Sequence, residues 1–592
     1  MSVEKKIKKQ IIAESSKNPE KFYPVKALES FGLKRFKCKK CGVMFWSSKE
    51  RDVCGDTNCV GKYSFIENSP CPVSMEFTSV YLEFAKILKN FGYQPVKRFP
   101  TVARWRDDLD FNIASIIGFQ PYVVRGEVQP SANPLVIPQI CLRFSDIDNV
   151  GFTGRHHTGF TMIGQHTFQK PDKYMQNDYF STWFNWYLNG MKIPVEELTV
   201  HEDAWAGGGN CGPSLEVFCR GLELGNQVYM IYDMSSAQDI SELKELNIKV
   251  LDMGMGAERC CWMSKGSLNS YQACMPKACD YIMEKTGIVP DYKVYKKFLP
   301  YSGMLNLDEV DDIDSAWKNI AKLVSIDFDE LIQKIDPIAG IYAIADHTRT
   351  LLYALSDGAL PSNVKGGYNL RLIYRRAQDF IEKYKWNIDL FDVIKVHAKE
   401  LKELYPELSD NLDEIKKIMD NEKEKYYNYK QTSLNKIKSI FSKSKENISL
   451  DDFIKYYISD GITPESIQEY YIQQGVKIKL PANFYTLVTA YFEDQKNKMK
   501  KKDILHDKFY EYVKDVKETE LLFYKTKDYE FNDSNIIKMF EIDAEKYVIL
   551  DKTIFYPNMG GQSNDKGFID DMCVEEVFKI NNVIIHKITQ KS

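Results

Sequence analysis

No run of about 18 consecutive apolar residues occurs in the 592-residue sequence, so no membrane-spanning helix is expected. The opening residues, Met1-Ser2-Val3-Glu4-Lys5-Lys6, lack the apolar stretch of a secretory signal. Neither sign of charge is in excess. Lys+Arg 79 against Asp+Glu 83 leaves −4, which excludes a uniformly basic nucleic-acid coat but not a local basic groove. Internal repeats are absent. Thirteen cysteines, an odd number, are too few over this length for a dense disulfide scaffold. The simplest compartment is the reducing cytosol, with four of those cysteines available to a metal. What remains is ordinary: 44% hydrophobic and 27% charged residues exclude a disordered or collagenous chain. The length suits roughly two to four domains of ~150 residues.

Tyr81, Phe84, Ala85 and Leu88 fall at helical spacing. Between Val136 and Met263, short strand-like runs alternate with Gly-containing turns. The alternation from Asn226 to Asp233 predicts Val228, Met230 and Tyr232 on one face of an antiparallel strand, with Tyr229 and Ile231 on the other. Helical spacing then takes over, as in Ile394, Ala398, Leu401 and Tyr405, and again in Leu412, Ile415 and Met419. The pattern predicts an α+β multidomain fold. Lysines 496, 498, 500, 501 and 502 form a cluster that either meets phosphates or closes a solvated helix. The stretch from Val548 to Pro557, then Gly560-Gly561-Gln562, reads as strand, turn and strand.

Cys38, Cys41, Cys54 and Cys59 have the spacing C-x2-C followed by C-x4-C, two short knuckles able to close four thiolates around structural Zn²⁺. Four unrelated buried thiols would have the same spelling. Arg143, a short loop and Phe160 suit a nucleotide, since guanidinium grips phosphate while a ring stacks on a base. Taken alone, such a hairpin is also a common surface feature. His156 and His157, adjacent on an extended chain, would point to opposite faces and so not share an ion. In Asp252-Met253-Gly254-Met255-Gly256-Ala257-Glu258-Arg259, alternate glycines permit close approach of a ligand, and Arg259 opens the helix that follows.

These stretches resemble a known family. The Arg143–Phe160 hairpin is similar to motif 2 of class II aminoacyl-tRNA synthetases, and Gly254-x-Gly256-x-Glu258-Arg259 to motif 3. Several further segments resemble the archaeal type of alanyl-tRNA synthetase. They are 102–108 (Val-Ala-Arg-Trp-Arg-Asp-Asp), Phe119-Gln120-Pro121, 148–156, 360–369 and Tyr556-Pro557 with Gly560-Gly561-Gln562. The resemblance spans nearly the whole chain. It implies a zinc element over 1–70, a class II antiparallel catalytic domain over 71–264, a mostly helical acceptor-stem domain over 265–535, and part of a β editing domain over 536–592.

The implied reaction joins L-alanine to ATP with Mg²⁺ and passes alanine to tRNA(Ala) in the cytoplasm. Arg143 would hold the α-phosphate, Phe160 would stack under adenine, and Arg259, beside Gly256, would take the far phosphates. Trp205, Asn226, Val228 and Asp252 would form the alanine pocket, with Asp252 on the α-ammonium. Asn363 would read a G·U pair. Ile458 stands where the family has its second reader, an aspartate, and Asp460 is the nearest substitute. The motif 2 loop, Phe144 to Asp148, is short, so loop contacts of bacterial relatives do not carry over. Asn558-Met559 replaces the usual Glu-Gly, and the editing-site His and Cys zinc ligands are not met before Ser592. Either the sequence is cut inside that domain or a second polypeptide completes it, and the second polypeptide is the expectation. A non-catalytic tRNA-binding paralogue would have lost Arg143, Arg259, Phe160 or Asp252, and all are present.

Overall fold

Strand-like runs from the N-terminal knuckle region to Gly256 assemble into one nine-stranded sheet. The computed structural model describes residues 3–590 except 107, 236, 306–312, 444–447, 461, 477, 479–483, 485–486, 489–490, 492–503, 527, 529, 543–544 and 558–563. The lysine cluster at 496–502, Asn558-Met559 and Gly560-Gly561-Gln562 lie outside the described residues, as does the Asp460 side chain. The strands are β1 (Lys34–Lys37), β2 (Met44–Ser47), β3 (Gln94–Pro95), β4 (Leu135–Leu142), β5 (Gly159–Gln169), β6 (Leu198–Gly207), β7 (Asn210–Cys219), β8 (Leu222–Asp233) and β9 (Lys244–Gly256). Their spatial order is β1-β2-β6-β7-β8-β9-β5-β4-β3, with every neighbouring pair antiparallel except β3 and β4. Through β1 and β2 the segment before residue 70 extends the same sheet as the residues after it.

Both faces of the sheet are covered, which is why β8 is buried along most of its length rather than on alternate residues. On one face Val228, Met230, Val250 and Phe168 pack under Ile116, Phe119 and Val124. On the other, Ile7 and Ile11 of the helix Val3–Lys17 meet Ala204 and Cys211. Tyr232 belongs to this second cluster, not with Val228 and Met230 as the simple alternation predicted. The register of β8 on β9 shifts between Met230 and Tyr232, and such an irregularity reverses the side to which later residues point.

The periodic segments fold as helices with the expected residues inside. Helix Phe77–Lys89 buries Tyr81, Phe84, Ala85 and Leu88, helix Leu390–Leu401 buries Ile394, Ala398 and Leu401, and helix Leu412–Lys443 buries Ile415 and Met419. Helix Phe328–Ser356 is buried on all sides from Ile338 to Leu355. Among the described residues no helix is long and apolar enough to cross a membrane.

Contacts divide the chain into two units, 1–103 with 109–487, and 104–108 with 488–592. The helices up to residue 487 thus group with the sheet. The second unit contains β10 (Glu520–Leu521), β11 (Ile536–Ile542), β12 (Glu545–Leu550), β13 (Lys552–Thr553), β14 (Gly567–Ile569), β15 (Met572–Ile580) and β16 (Val583–Gln590). Five strands form an antiparallel sheet in the order β11-β12-β16-β15-β14. Phe509 and Val513 of helix Ile504–Val513 cover one face over Tyr547, Ile549 and Ile585, and Val548, Val574, Val577 and Ile584 form a second cluster. Among the described residues between Thr553 and Gly567 none is in a strand, so of the strand–turn–strand expected at 548–562 the described residues show β12 and β13.

Candidate active site

Register builds the site. Met162 on β5 faces Gly256 on β9; Gly164 faces Gly254, which faces Asn226 on β8, which faces Glu216 on β7. One row further, His166 faces Asp252, which faces Val228. Directly paired residues share a sheet face, so these side chains and that of Phe160 leave the same side. A cavity of about 510 Å³ opens there, lined by Arg143, Arg155, Phe160, Asn226, Gly256 and Arg259 among others. Gly254 keeps its floor clear: a Cβ at that position would stand 3.0 Å from the Met162 sulfur.

Arg143 follows the last residue of β4 rather than lying within it, and its N–H still donates to Thr158 O at 2.9 Å. Its guanidinium donates from Nε and Nη2 to the Ile113 carbonyl at 3.0 and 2.8 Å and lies over the Phe160 ring at 5.0 Å. Arg259, early in helix Ala257–Lys265, donates from Nη1 to the Glu223 carbonyl oxygen at 3.1 Å and to its carboxylate at 2.7 Å. A third guanidinium, which the motifs did not single out, is that of Arg155, held on the Tyr63 hydroxyl at 2.6 Å. Burial lowers the Arg143 pKa, and nearby Arg259 lowers it further. Such crowded cations are relieved by an anion. Opposite them, burial and then the neighbouring Glu223 push the Glu216 carboxyl up to about 8.

Trp205 and Val228 pack in the apolar cluster with Phe119 and Phe168, beyond the cavity wall formed by Asn226. Asp252 lies between Val228 and His166 in register, and burial raises its pKa from 3.8 to about 7. Among the described residues no lysine or arginine pairs with it. His166 Nε2 shares a hydrogen with Ser115 Oγ at 3.1 Å, and burial lowers its pKa to about 3, so the ring is neutral. This half of the site is an uncompensated carboxylate at the edge of an apolar pocket.

Beneath the cavity lies a buried polar network that the motif analysis missed. Asp346 accepts from the Thr158 N–H at 3.1 Å, and its carboxylate pairs with His157 Nδ1 at 3.2 Å and His347 Nδ1 at 3.1 Å. Arg349, fully buried, donates to the Gly159 carbonyl at 2.8 Å and lies 3.2 Å from the Glu258 carboxylate, which also accepts the Thr161 N–H at 3.1 Å. These bonds fix the start of β5, and therefore Phe160, to helix Phe328–Ser356. The available signal was the polar run Asp346-His347-Thr348-Arg349-Thr350 inside an apolar helix. His156 and His157 go separate ways, to Thr153 Oγ1 at 2.7 Å and to Asp346.

The four cysteine sulfurs converge within 4.8 Å of one another, with Cys38–Cys59 at 3.7 Å and Cys41–Cys54 at 3.8 Å. Those separations match the ~3.8 Å edge of a sulfur tetrahedron around Zn²⁺ at ~2.3 Å and are far beyond a disulfide bond. Four thiolates this close would repel one another and need a cation between them. The donor set fits zinc.

Asn363 lies exposed before helix Lys365–Tyr384, in a loop closed by Ser362 N–H on Gly367 O at 2.9 Å. Its amide oxygen accepts from Arg371 Nη1. Ile458 is half-buried on helix Leu450–Asp460.

Residues 76–592 match the family model described as tRNA synthetases class II (A). The alanine–tRNA ligase of Methanocella arvoryzae is 42% identical over 586 residues, covering 98% of this chain and 65% of that protein. That of Nitrosopumilus maritimus is 36% identical over 583 residues (98% and 63%), and that of Thermococcus kodakarensis 35% over 581 residues (94% and 63%). The chain thus spans somewhat less than two thirds of the length of these relatives. Its match over 76–592 makes it a member of the class II tRNA synthetase family.

Proposed function

We propose that this chain is an alanine–tRNA ligase, forming alanyl-adenylate from L-alanine and ATP and passing alanine to the terminal adenosine of tRNA(Ala). The observation that carries the reading is the convergence of Arg143 and Arg259 on one cavity beside Phe160, with the unpaired carboxylate of Asp252 on the next rows of the same sheet face.

Asp252 receives the α-ammonium, and Trp205 and Val228 bound the methyl pocket. Asn226, between that pocket and the phosphate cavity, holds the alanine carboxylate facing the α-phosphorus. A carboxylate oxygen attacks phosphorus, the bond to the bridging oxygen breaks, and pyrophosphate leaves. No proton needs to move, so positioning and electrostatics suffice. Arg143, clamped by the Ile113 carbonyl, meets the charge that grows on the α-phosphoryl oxygens, and Arg259 takes the departing phosphates. Phe160 stacks on adenine. Glu216 and Glu223 offer the hard oxygen donors that suit Mg²⁺, which would neutralise triphosphate charge.

Asn363 reads the acceptor stem. A second polypeptide pairs with the five-stranded sheet, a reading supported by exposed Ile536, Ile537 and Met539 on β11 and Phe568 on β14, its two edge strands. Copurification from the native source tests this part. Alanine-dependent exchange between ATP and pyrophosphate tests the whole: exchange with alanine is expected, and none with any amino acid would overturn it.

A further inference from the structure

Four residues separate Cys54 from Cys59, and three of them, Asp56, Thr57 and Asn58, line the same cavity as Arg143, Phe160 and Arg259. The knuckle is docked on the catalytic sheet. Gly55 N–H donates to His201 Nε2 at 3.2 Å, Asp56 bridges to the Gly221 backbone, and Thr57 Oγ1 donates to the Gly221 carbonyl. Only glycine fits at 55, since a Cβ there would run into Thr199 Oγ1 and stand 2.9 Å from Phe218 Cβ. Asn58 is held from two sides: its N–H donates to Asp56 Oδ1 at 2.7 Å, and Lys40, between Cys38 and Cys41, donates to its carbonyl. Both halves of the four-cysteine motif therefore meet at Asn58.

The apolar core around the four sulfurs is small. It consists of Cys38, Phe45 and Cys54, with Phe36, Val43, Val53 and Cys59 at the margin, so three of these seven residues are metal-ligand candidates. A small element of this kind depends on its cation for a fixed shape.

We propose that this knuckle is a wall of the nucleotide site, in which the Asn58 side-chain amide contacts bound ATP and the metal at Cys38, Cys41, Cys54 and Cys59 sets its position. The inference rests on the ATP reading given above. It makes the cysteine site a determinant of nucleotide affinity, not a remote brace. Coupling of this kind is reciprocal: a metal that tightens ATP binding is itself tightened by ATP, by the same factor.

The test measures zinc affinity of the full chain by competition with a chromophoric chelator, alone, with saturating MgATP and with saturating alanine. MgATP is expected to tighten zinc about tenfold, the worth of one hydrogen bond to a charged group. Alanine alone should leave zinc unmoved, and the zinc-stripped chain should bind MgATP more weakly by the same factor. Asn58→Ala should abolish the MgATP effect on zinc and raise KM for ATP about tenfold, with kcat, KM for alanine and melting temperature near the parent's. If the zinc-loaded chain binds MgATP while zinc competition does not respond, the knuckle proposal falls and the ATP reading survives. If the folded, zinc-loaded chain binds no MgATP, both fall.

Discussion

The His166 Nδ1 atom stands 3.5 Å from the Asp252 carboxylate, yet the two do not form an ion pair, because burial holds the imidazole pKa down to about 3. Asp252 is thus a carboxylate raised to about 7 by burial, with a neutral neighbour. Binding an ammonium requires its ionised form. KM for alanine in pyrophosphate exchange should therefore be flat above pH 7 and rise about tenfold per unit below it. Asp252→Asn should remove that slope and raise KM by about 2–5 kcal/mol equivalent. The stability effect has the opposite sign. Because the folded pKa lies above the ordinary carboxylate value, the contribution of Asp252 is fully present below pH 4 and is lost as pH rises through 7. Melting temperatures of the Asn variant relative to the parent should accordingly improve between pH 4 and 8. A flat alanine KM from pH 5 to 8 in the parent would remove Asp252 from the amino-acid site.

Arg143 is fixed to the Ile113 carbonyl by two of its nitrogens, so its geometry is preorganised before any substrate arrives. Loss of one such preorganised donor typically costs about 10²–10³ in rate. Arg143→Ala should reduce kcat for pyrophosphate exchange by that factor while tRNA binding, measured by filter retention, is unchanged. Arg143→Lys should rescue only part, since a single ammonium cannot hold the Ile113 carbonyl and phosphate as a planar fork does. Undiminished exchange in Arg143→Ala would refute the role.

Glu258 and Arg349 form an ion pair under the sheet, and among the described residues Arg349 Nε and Nη1 have no hydrogen-bond partner. Removing the carboxylate alone leaves a buried guanidinium uncompensated, at a cost of about 3–5 kcal/mol. Glu258→Ala should melt well below the parent, and adding Arg349→Met should recover part of the loss, because an apolar side chain of similar length carries no charge to strand. Additive losses in the double variant would show that the two residues act independently.

How far the sequence disclosed this molecule depended on the range of the interaction. Phe160 and Arg259 were legible because a strand and a helix start announce themselves over a few residues, and β5, β8 and β9 then bring them together by register. Tyr232 was misassigned because the register shift on β8 depends on pairing with β9 and leaves no local mark. Asp346 and Arg349 read only as odd polar residues in a helix, since their partners lie almost 200 positions earlier or on a different element. Asp56 to Asn58 went unnoticed for a similar reason: their place on the cavity comes from docking the knuckle on the β7–β8 turn, a contact between residues far apart in sequence.

Arg371 sets which way the Asn363 amide faces. Arg371 has only donors, so the Asn363 oxygen must face it and the amide nitrogen must face outward. Arg371 is itself locked by the Glu422 carboxylate, at 2.9 Å from Nε and 2.8 Å from Nη2. An outward donor suits the acceptor atoms on a base-pair edge. Asn363→Ala should lower kcat/KM for a G·U-bearing tRNA by about 1–3 kcal/mol equivalent, with pyrophosphate exchange unaffected because the adenylate site is not touched. Asn363→Asp should do at least as badly, since it replaces the donor with an acceptor facing acceptors. Arg371→Leu should give a smaller loss, as the amide is then free to turn. Aminoacylation assays on tRNAs carrying G·U or G·C at that pair separate these outcomes: equal losses on both would mean that Asn363 supports the loop and does not read the pair.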